Sequence, residues 1–294
     1  MQLHLVDATY ELFRSYYAPR PATLAPDGRN VGAVVGLLYS LLTLLRDEGA
    51  THVGCATDHV IRSYRNDMYQ GYKTDAGVPR ELLDQFPLAE RAMQAMGLVV
   101  WPMVEFEADD AMATAVARWA DAPGVERTFI CTPDKDLAQC VRTDRVVMRD
   151  RLRNRTLDEA GVVAKWGVTP ASIPDYLALV GDSADGFPGL PGWGAKSAAA
   201  VLARFGNLEA IPTDTGEWHV DVRSAATLNA ALRTQWQEAQ LFRRLATLRT
   251  DAPLLQRSPD ELFWRGARRA EFGALCEELG QPRLVERPHL WQDA

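Results

Sequence analysis

Along the first half of the chain, short apolar runs that end in acids alternate with longer amphipathic stretches. "LHLV" at residues 3–6 runs into Asp7, "VGCAT" at 53–57 into Asp58, and "TFICT" at 128–132 into "PDKD". Each run is short, rich in strand formers and bounded by turn chemistry, which predicts a β-strand. "LVVW" at 98–101 and "VVMR" at 146–149 predict two more. Between them, "VGAVVGLLYSLLTLLRDEG" at 31–49 predicts a long apolar-faced helix with a glycine stop. "RELLDQFPLAERAMQAMG" at 80–97 predicts a mainly helical stretch ending at Gly97, and "DDAMATAVARWAD" from Asp109 a third helix. Strands alternating with helices predict an α/β fold around a mostly parallel sheet, with helices flanking it and ligands bound beyond the carboxyl ends of the strands.

After about residue 165 the pattern changes. "WGVTPASIPDYLALVGDSADGFPGLPGWGAKSAAAVLARFG" predicts helix, Gly/Pro-rich turn, helix. Residues 222–250 and 268–280 are helical in pattern, 213–221 predict a loop, and no strong strand signal follows. The expected division is an α/β domain over 1–165 and a helical region over 166–294.

Length and composition fit that division: 294 residues suggest one large domain or two smaller ones. No apolar run approaches the ~20 residues needed to cross a membrane. "MQLHLVDATY" lacks the basic start and long apolar stretch of a signal peptide, so the chain is expected to be mature and cytoplasmic, with no membrane partner, and to work as a monomer. Cys55, Cys131, Cys140 and Cys276 form no CxxC pair and have no histidines at metal spacing, which predicts free thiols in a reducing compartment. The net charge of −7, from 39 acids and 32 bases, argues against a nucleic-acid partner until the acids are placed.

Glu107, Asp109 and Asp110 crowd three carboxylates into four positions at the start of a helix. Acids are favoured there by the helix dipole and as caps, each by ~0.3–1 kcal/mol. Other acids converge on the same place, however. Asp7, Asp58, Asp134 and Asp136 each fall at or just past the carboxyl end of an expected strand. Clustered carboxylates raise one another's charging cost. Lys135 and a few arginines cannot balance so many, whereas a hard divalent cation can. Ligation by oxygen alone, without His or Cys, favours Mg²⁺ or Mn²⁺ over zinc. The number of acids makes room for two ions, ~3.5–4 Å apart.

The second half adds Asp182 and Asp185 in "GDSAD". In "GFPGLPGWGAKSA" that follows, Gly189, Gly192 and Gly194 are spaced for a tight hairpin between two helices, with Lys196 and Ser197 opening the second. Backbone N–H groups in such a hairpin, beside a helix N-terminus, can hold a phosphate. The arrangement resembles a helix–hairpin–helix reader of the DNA backbone, which positions a protein without reading sequence.

"LVDATYELFRSYYA", "TDHVIRSYRNDMYQGYK", "EADDAMATAVA", "TPDKDLAQCV" and "LVGDSADGFPGLPGWGAKSA" occur in this order over most of residues 1 to about 250. Together they resemble the 5′ nuclease family: the exonuclease domain of bacterial DNA polymerase I, phage 5′ exonucleases and flap endonucleases. No polymerase domain follows in the sequence, so the resemblance is to a stand-alone member. It implies a metal-dependent 5′-3′ exonuclease or flap endonuclease of replication or repair, acting on DNA with free 5′ ends or flaps. It implies that Asp7, Asp58, Glu107, Asp109 and Asp110 form a catalytic metal set, and Asp134, Asp136, Asp182 and Asp185 a second. It further implies basic contacts to the scissile phosphate from Arg65 and Lys73, a helical arch at about 62–97, and K⁺ held by the hairpin at 187–196. Four departures stand out: Pro133 before "DKD" where glycine is usual, Gly186 where asparagine is, Ala76 and Gly77 near a usual base, and Trp193 where the hairpin usually has Ile or Val.

Placing nine of the 39 acids in such a site leaves 30 against 32 bases, so the remaining surface is compatible with DNA. Two other readings stay open at this level. A non-cleaving binder of branched DNA would not need the full carboxylate set. A small-molecule phosphohydrolase would not need a duplex-anchoring hairpin.

Overall fold

The computed structural model describes residues 1–19 and 21–292. In chain order it begins with strand β1 (Gln2–Asp7), helices α1 (Ala8–Tyr16) and α2 (Gly32–Arg46), and β2 (His52–Asp58). Three helices follow, α3 (Arg65–Met68), α4 (Arg80–Leu83) and α5 (Phe86–Ala95), then β3 (Val99–Met103), α6 (Ala108–Trp119) and β4 (Arg127–Cys131). Next come β5 (Val146–Asp150), β6 (Arg155–Leu157), α7 (Glu159–Trp166), α8 (Ile173–Val180) and α9 (Ala195–Phe205). The chain ends with α10 (Ala225–Thr234), α11 (Trp236–Ala246), β7 (Ala267–Arg268), α12 (Arg269–Glu278) and β8 (Trp291–Gln292).

Two compact units interleave along this order. One comprises Met1–Ile61, Asp75–Thr132 and the chain from Thr250 onward; the other comprises Arg62–Thr74 and Pro133–Arg249. The units therefore divide at more points than the single boundary expected near residue 165. The last stretch returns to the first unit because its apolar side chains, Trp264, Phe272, Leu275 and Leu279, bury in that unit's core.

In the first unit, β3, β2, β1 and β4 pair in that order and all in parallel. Helix α2 is buried along most of its length, with Leu37, Leu38, Leu41 and Leu44 fully enclosed, as expected of a helix apolar on nearly all sides. Gly54 in β2 has a packing role: a Cβ there would lie 2.2 Å from the ring of Trp101 on β3. In the second unit β5 and β6 form an antiparallel hairpin, and α8 to α11 enclose a core that includes Phe187, Trp193, Leu202, Trp218, Leu232 and Phe242.

All five expected strands and the helices at 31–49, 80–97 and from Asp109 are present, with shifted ends. Helix α1 and the short strands β6, β7 and β8 were not among the elements the hydrophobic pattern predicts. Between 62 and 97 the helices are α3, α4 and α5, and α5 buries Leu88, Ala89, Ala92 and Met93 in the core of the first unit. Among the described residues, no helix is long and apolar enough to cross a membrane.

Candidate metal centre

Asp7, the last residue of β1, caps α1: the Tyr10 N–H donates to Asp7 Oδ1 at 2.8 Å. Its other oxygen accepts from the Thr132 hydroxyl at 3.0 Å. Because β1 and β2 are parallel, with Asp7 opposite Ala56, Asp58 emerges at the same edge of the sheet. The Asp58 N–H donates to Thr9 Oγ1 at 2.8 Å, and Asp58 Oδ1 accepts from the Ala108 N–H at 2.8 Å. That second bond brings the first turn of α6 against the end of β2. There Asp110, fully buried, accepts from the Glu107 N–H at 3.1 Å, while Asp109 is half-buried. Helix α6 is held from behind by Thr114, whose hydroxyl donates to the Asp110 carbonyl and accepts from the Ala252 N–H. Hydrogen bonds thus hold Asp7 and Asp58 at the carboxyl ends of neighbouring strands and bring the first turn of α6, with Asp110, beside Asp58.

The second set lies in the other unit and is tighter. Asp136, Asp182 and Asp185 are buried, and one oxygen from each falls within 4.8 Å of the others. Asp136 opens a single 3₁₀ turn after β4, and its Oδ1 is buried without a hydrogen-bond partner. Burial pushes the Asp136 carboxyl well above the usual carboxylate range, and the charges of Asp134, Asp185 and Asp182 push it further. Two lysines supply counter-charge: Lys135 Nζ lies 2.8 Å from Asp182 Oδ2, and Lys73 Nζ 3.1 Å from Asp185 Oδ1. Burial alone would lower the Lys135 ammonium, but the bond to Asp182 and the nearby acids outweigh it and raise it. An orphaned, desolvated carboxylate oxygen between two other acids fits a hard cation, and the all-oxygen donor set fits Mg²⁺ or Mn²⁺ chemistry. Asp134 stands apart from the three: it is exposed, and its Oδ1 accepts the Asp136 N–H at 3.0 Å.

The loop that carries Asp182 and Asp185 is tightly built. Asp182 and Phe187 exchange backbone hydrogen bonds at 2.8 and 3.0 Å, and Asp182 Oδ1 accepts from the Ala184 N–H. Gly186 has φ +86, and a Cβ there would stand 2.2 Å from the Gly71 carbonyl oxygen. The glycine departure at 186 therefore lets residues 71–73 approach, so that the Lys73 N–H donates to the Asp185 carbonyl at 3.0 Å. Both the backbone and the ammonium of Lys73 are fixed on Asp185.

Arg65 is placed differently from what the resemblance implies. It is 1 % exposed, its Nε donates to the Leu245 carbonyl at 2.8 Å, and its guanidinium lies over the Tyr64 ring. In this structure it ties α3 to the end of α11.

The expected hairpin follows α8. Gly189 has φ +70, and a Cβ there would meet the Gly181 nitrogen at 2.3 Å, so only glycine fits. Gly192 also has positive φ, whereas Gly194 is extended. Trp193 points inward, donating Nε1–H to the Leu228 carbonyl at 3.0 Å and packing near Trp218, which accounts for a bulky residue at this position. The Ser197 hydroxyl caps α9 by bonding both the N–H and the carbonyl of Gly194. Lys196 is exposed, beside a surface cleft of about 650 Å³ lined also by Gly192, Gly194, Ser197 and Arg223. Sequence reasoning did not point to Thr9, Thr132 or Thr114, whose neutral hydroxyls carry no cluster signal.

The chain matches two family models: the 5′-3′ exonuclease N-terminal resolvase-like domain over residues 2–167 and the 5′-3′ exonuclease C-terminal SAM fold over 168–270. It is 37 % identical over 260 residues to a DNA polymerase I of Rhizobium leguminosarum, a match covering 86 % of this chain and 25 % of the relative. The chain spans about a quarter to a third of the length of the curated relatives it matches. In fold it resembles a bacteriophage T5 protein co-crystallised with metal ions, at TM-score 0.65, 14 % identity and 97 % of each chain. It also resembles the bacteriophage T5 flap endonuclease in a pseudo-enzyme–product complex with DNA and metal ions, at TM-score 0.64 and 16 % identity over 98 % of this chain and 99 % of that one.

Proposed function

Because the chain belongs to the 5′-3′ exonuclease family, we propose that it is a divalent-metal-dependent nuclease hydrolysing DNA phosphodiesters at free 5′ ends and flaps. The observation that carries this reading is the buried convergence of Asp136, Asp182 and Asp185 around an oxygen with no protein partner. Asp7, Asp58, Glu107, Asp109 and Asp110 would hold one ion, and Asp136, Asp182 and Asp185, with Asp134 beside them, a second. Bound Mg²⁺ or Mn²⁺ supplies Lewis-acid activation of water and charge stabilisation at the leaving 3′ oxygen.

The rest falls to the chain's own groups. Thr132, Thr9 and the α6 N-terminus hold Asp7 and Asp58 in place, so that little reorganisation of these carboxylates would be needed. Lys73, held beside Asp185, would offset charge developing on the scissile phosphate. Arg65 acts at a distance, by anchoring the segment that carries Lys73. Gly189, Gly192 and Gly194, with Lys196 and Ser197, would hold the duplex backbone, and K⁺ among the hairpin carbonyls would complete that contact. The protein would act as a cytoplasmic monomer.

The test is a 5′-labelled flap DNA incubated with and without Mg²⁺, beside a generic phosphomonoester. Short labelled products in Mg²⁺ alone, with the monoester untouched, are expected. Hydrolysis of the monoester with the flap intact would overturn the reading.

A further inference from the structure

The chain is acidic overall, yet residues 142–155 carry six arginines, Arg142, Arg145, Arg149, Arg151, Arg153 and Arg155, against two aspartates. These residues form the approach to the β5–β6 hairpin, strand β5, the turn and the first residue of β6. A run of charge on a floppy loop is ordinarily a solvated face. This one sits on a turn that the sequence builds closely. Asp150 Oδ1 accepts the Arg153 N–H at 3.0 Å, and Asn154 takes the left-handed conformation, φ +53, that asparagine tolerates well. Across the ladder Arg149 pairs with Thr156 and Asp150 with Arg155. The Arg149 guanidinium also spans the hairpin, donating to Thr156 Oγ1 at 3.0 Å and to Asn154 Oδ1 at 2.5 Å. Arg142, Arg145, Arg153 and Arg155 are exposed and Arg151 half-exposed, with Leu152 at the tip 63 % exposed.

Over residues 142–155 arginines outnumber aspartates six to two, so the ribbon keeps a net positive charge even where its side chains pair locally. Arg153 and Asp150 form an ion pair at 2.9 Å with the arginine side chain 61 % exposed, a kind of pair that is weak and exchangeable. Glu159 and Asp158, just beyond, are engaged by the backbone N–H groups of Thr143 and Gly161. Lys165 on α7 lies nearby; burial lowers its ammonium, and it feels Asp150 and Asp134 as well as Arg153 and Arg155. The result is a two-stranded ribbon presenting planar, forked donors from a fixed turn. Guanidinium groups match phosphate oxygens in pairs of hydrogen bonds, and an extended row of them matches the backbone of a nucleic acid.

We propose that the β5–β6 hairpin is a second nucleic-acid contact of this protein, gripping the phosphate backbone of the DNA through Arg151, Arg153 and Arg155. The inference rests on the nuclease reading. It adds a surface outside both the carboxylate site and the glycine hairpin. The contact reads charge and spacing, so it is independent of base sequence.

The test is equilibrium binding of flap duplex by the full chain in EDTA, measured across salt concentrations. The variants are Arg151→Gln/Arg153→Gln/Arg155→Gln and the matching triple Arg→Lys. Each phosphate contact contributes ~0.9 to the slope of log affinity against log salt. The glutamine triple should be shallower by roughly 2–3 in that slope and weaker at low salt. The lysine triple should keep most of the slope, which excludes a loss through misfolding of the turn. Wild-type affinity and slope in the glutamine triple, with flap cleavage intact, would overturn this proposal alone and assign the ribbon to an acidic protein or to solvent. A wild-type protein that neither binds nor cuts the flap would overturn the nuclease reading, and the ribbon with it.

Discussion

Removing the ammonium of Lys73 separates two roles proposed for neighbouring bases. The lysine lies against Asp185 with its side chain 26 % exposed, so a thermal melt beside the kinetics separates loss of fold from loss of rate. If it acts on charge that grows in the transition state, Lys73→Ala should lower single-turnover cleavage by ~10²–10³, with duplex affinity nearly unchanged. Single-turnover rates within about twofold of wild type would return it to a plain counter-ion of the acids. Arg65→Ala should do the reverse. Loss of the buried bond to the Leu245 carbonyl should cost ~1.5–3 kcal/mol, read as a lower urea midpoint. A wild-type midpoint would contradict the anchoring role. The two residues look alike in sequence, since both are bases in "SYRNDMYQGYK". Burial sets them apart, and burial of an arginine is decided by a carbonyl 180 residues away. The acids are the opposite case. Their clustering at strand ends showed in the sequence because nothing in a fold's own stability favours it. The threonines that hold them, Thr9, Thr132 and Thr114, gave no such sign.

At the scale of elements, the hairpin after α8 depends on backbone conformation more than on side chains. Gly189→Ala must place a Cβ 2.3 Å from a backbone nitrogen at φ +70. The left-handed conformation alone costs ~1–3 kcal/mol for a residue with a side chain, and the clash adds to it. The variant should lose stability by at least that much in urea unfolding and bind duplex more weakly. Unfolding at the wild-type midpoint would show that the turn has room to shift. The hairpin was legible because glycine spacing is a backbone signal and survives in one dimension. Helix α1 was not predicted: its nine residues, "ATYELFRSY", mix polar and apolar positions and follow directly on Asp7, the acid that draws attention as a ligand but also caps this helix. Strands β7 and β8 are two residues each, too short for any period to register.

For the whole molecule, two regions were legible in the chain, but the way the two units interleave along it was not. Residues 62–74 belong to the second unit, and the stretch from Thr250 onward returns to the first. Such returns depend on long-range apolar packing, as by Trp264, which donates its indole N–H to the Met96 carbonyl 168 residues earlier. What the sequence did carry was a sum of charges. An acidic total concealed a concentrated set of carboxylates and a separate ribbon of arginines, the pattern expected of a metal-using protein with an anionic partner. The account stands on the carboxylates serving as metal ligands for cleavage. Asp110 tests this well because Asp110→Asn keeps an oxygen to accept the Glu107 N–H, so the α6 cap survives while the ligand charge is lost. The direct measurement is single-turnover cleavage of a 5′-labelled flap by wild-type and Asp110→Asn protein, each in Mg²⁺ and in EDTA, with thermal melts alongside. The account predicts products from the wild type in Mg²⁺ alone, and none from the variant despite an equal or slightly higher melting temperature in EDTA. Cleavage by Asp110→Asn at the wild-type rate, or wild-type cleavage that persists in EDTA, would contradict it.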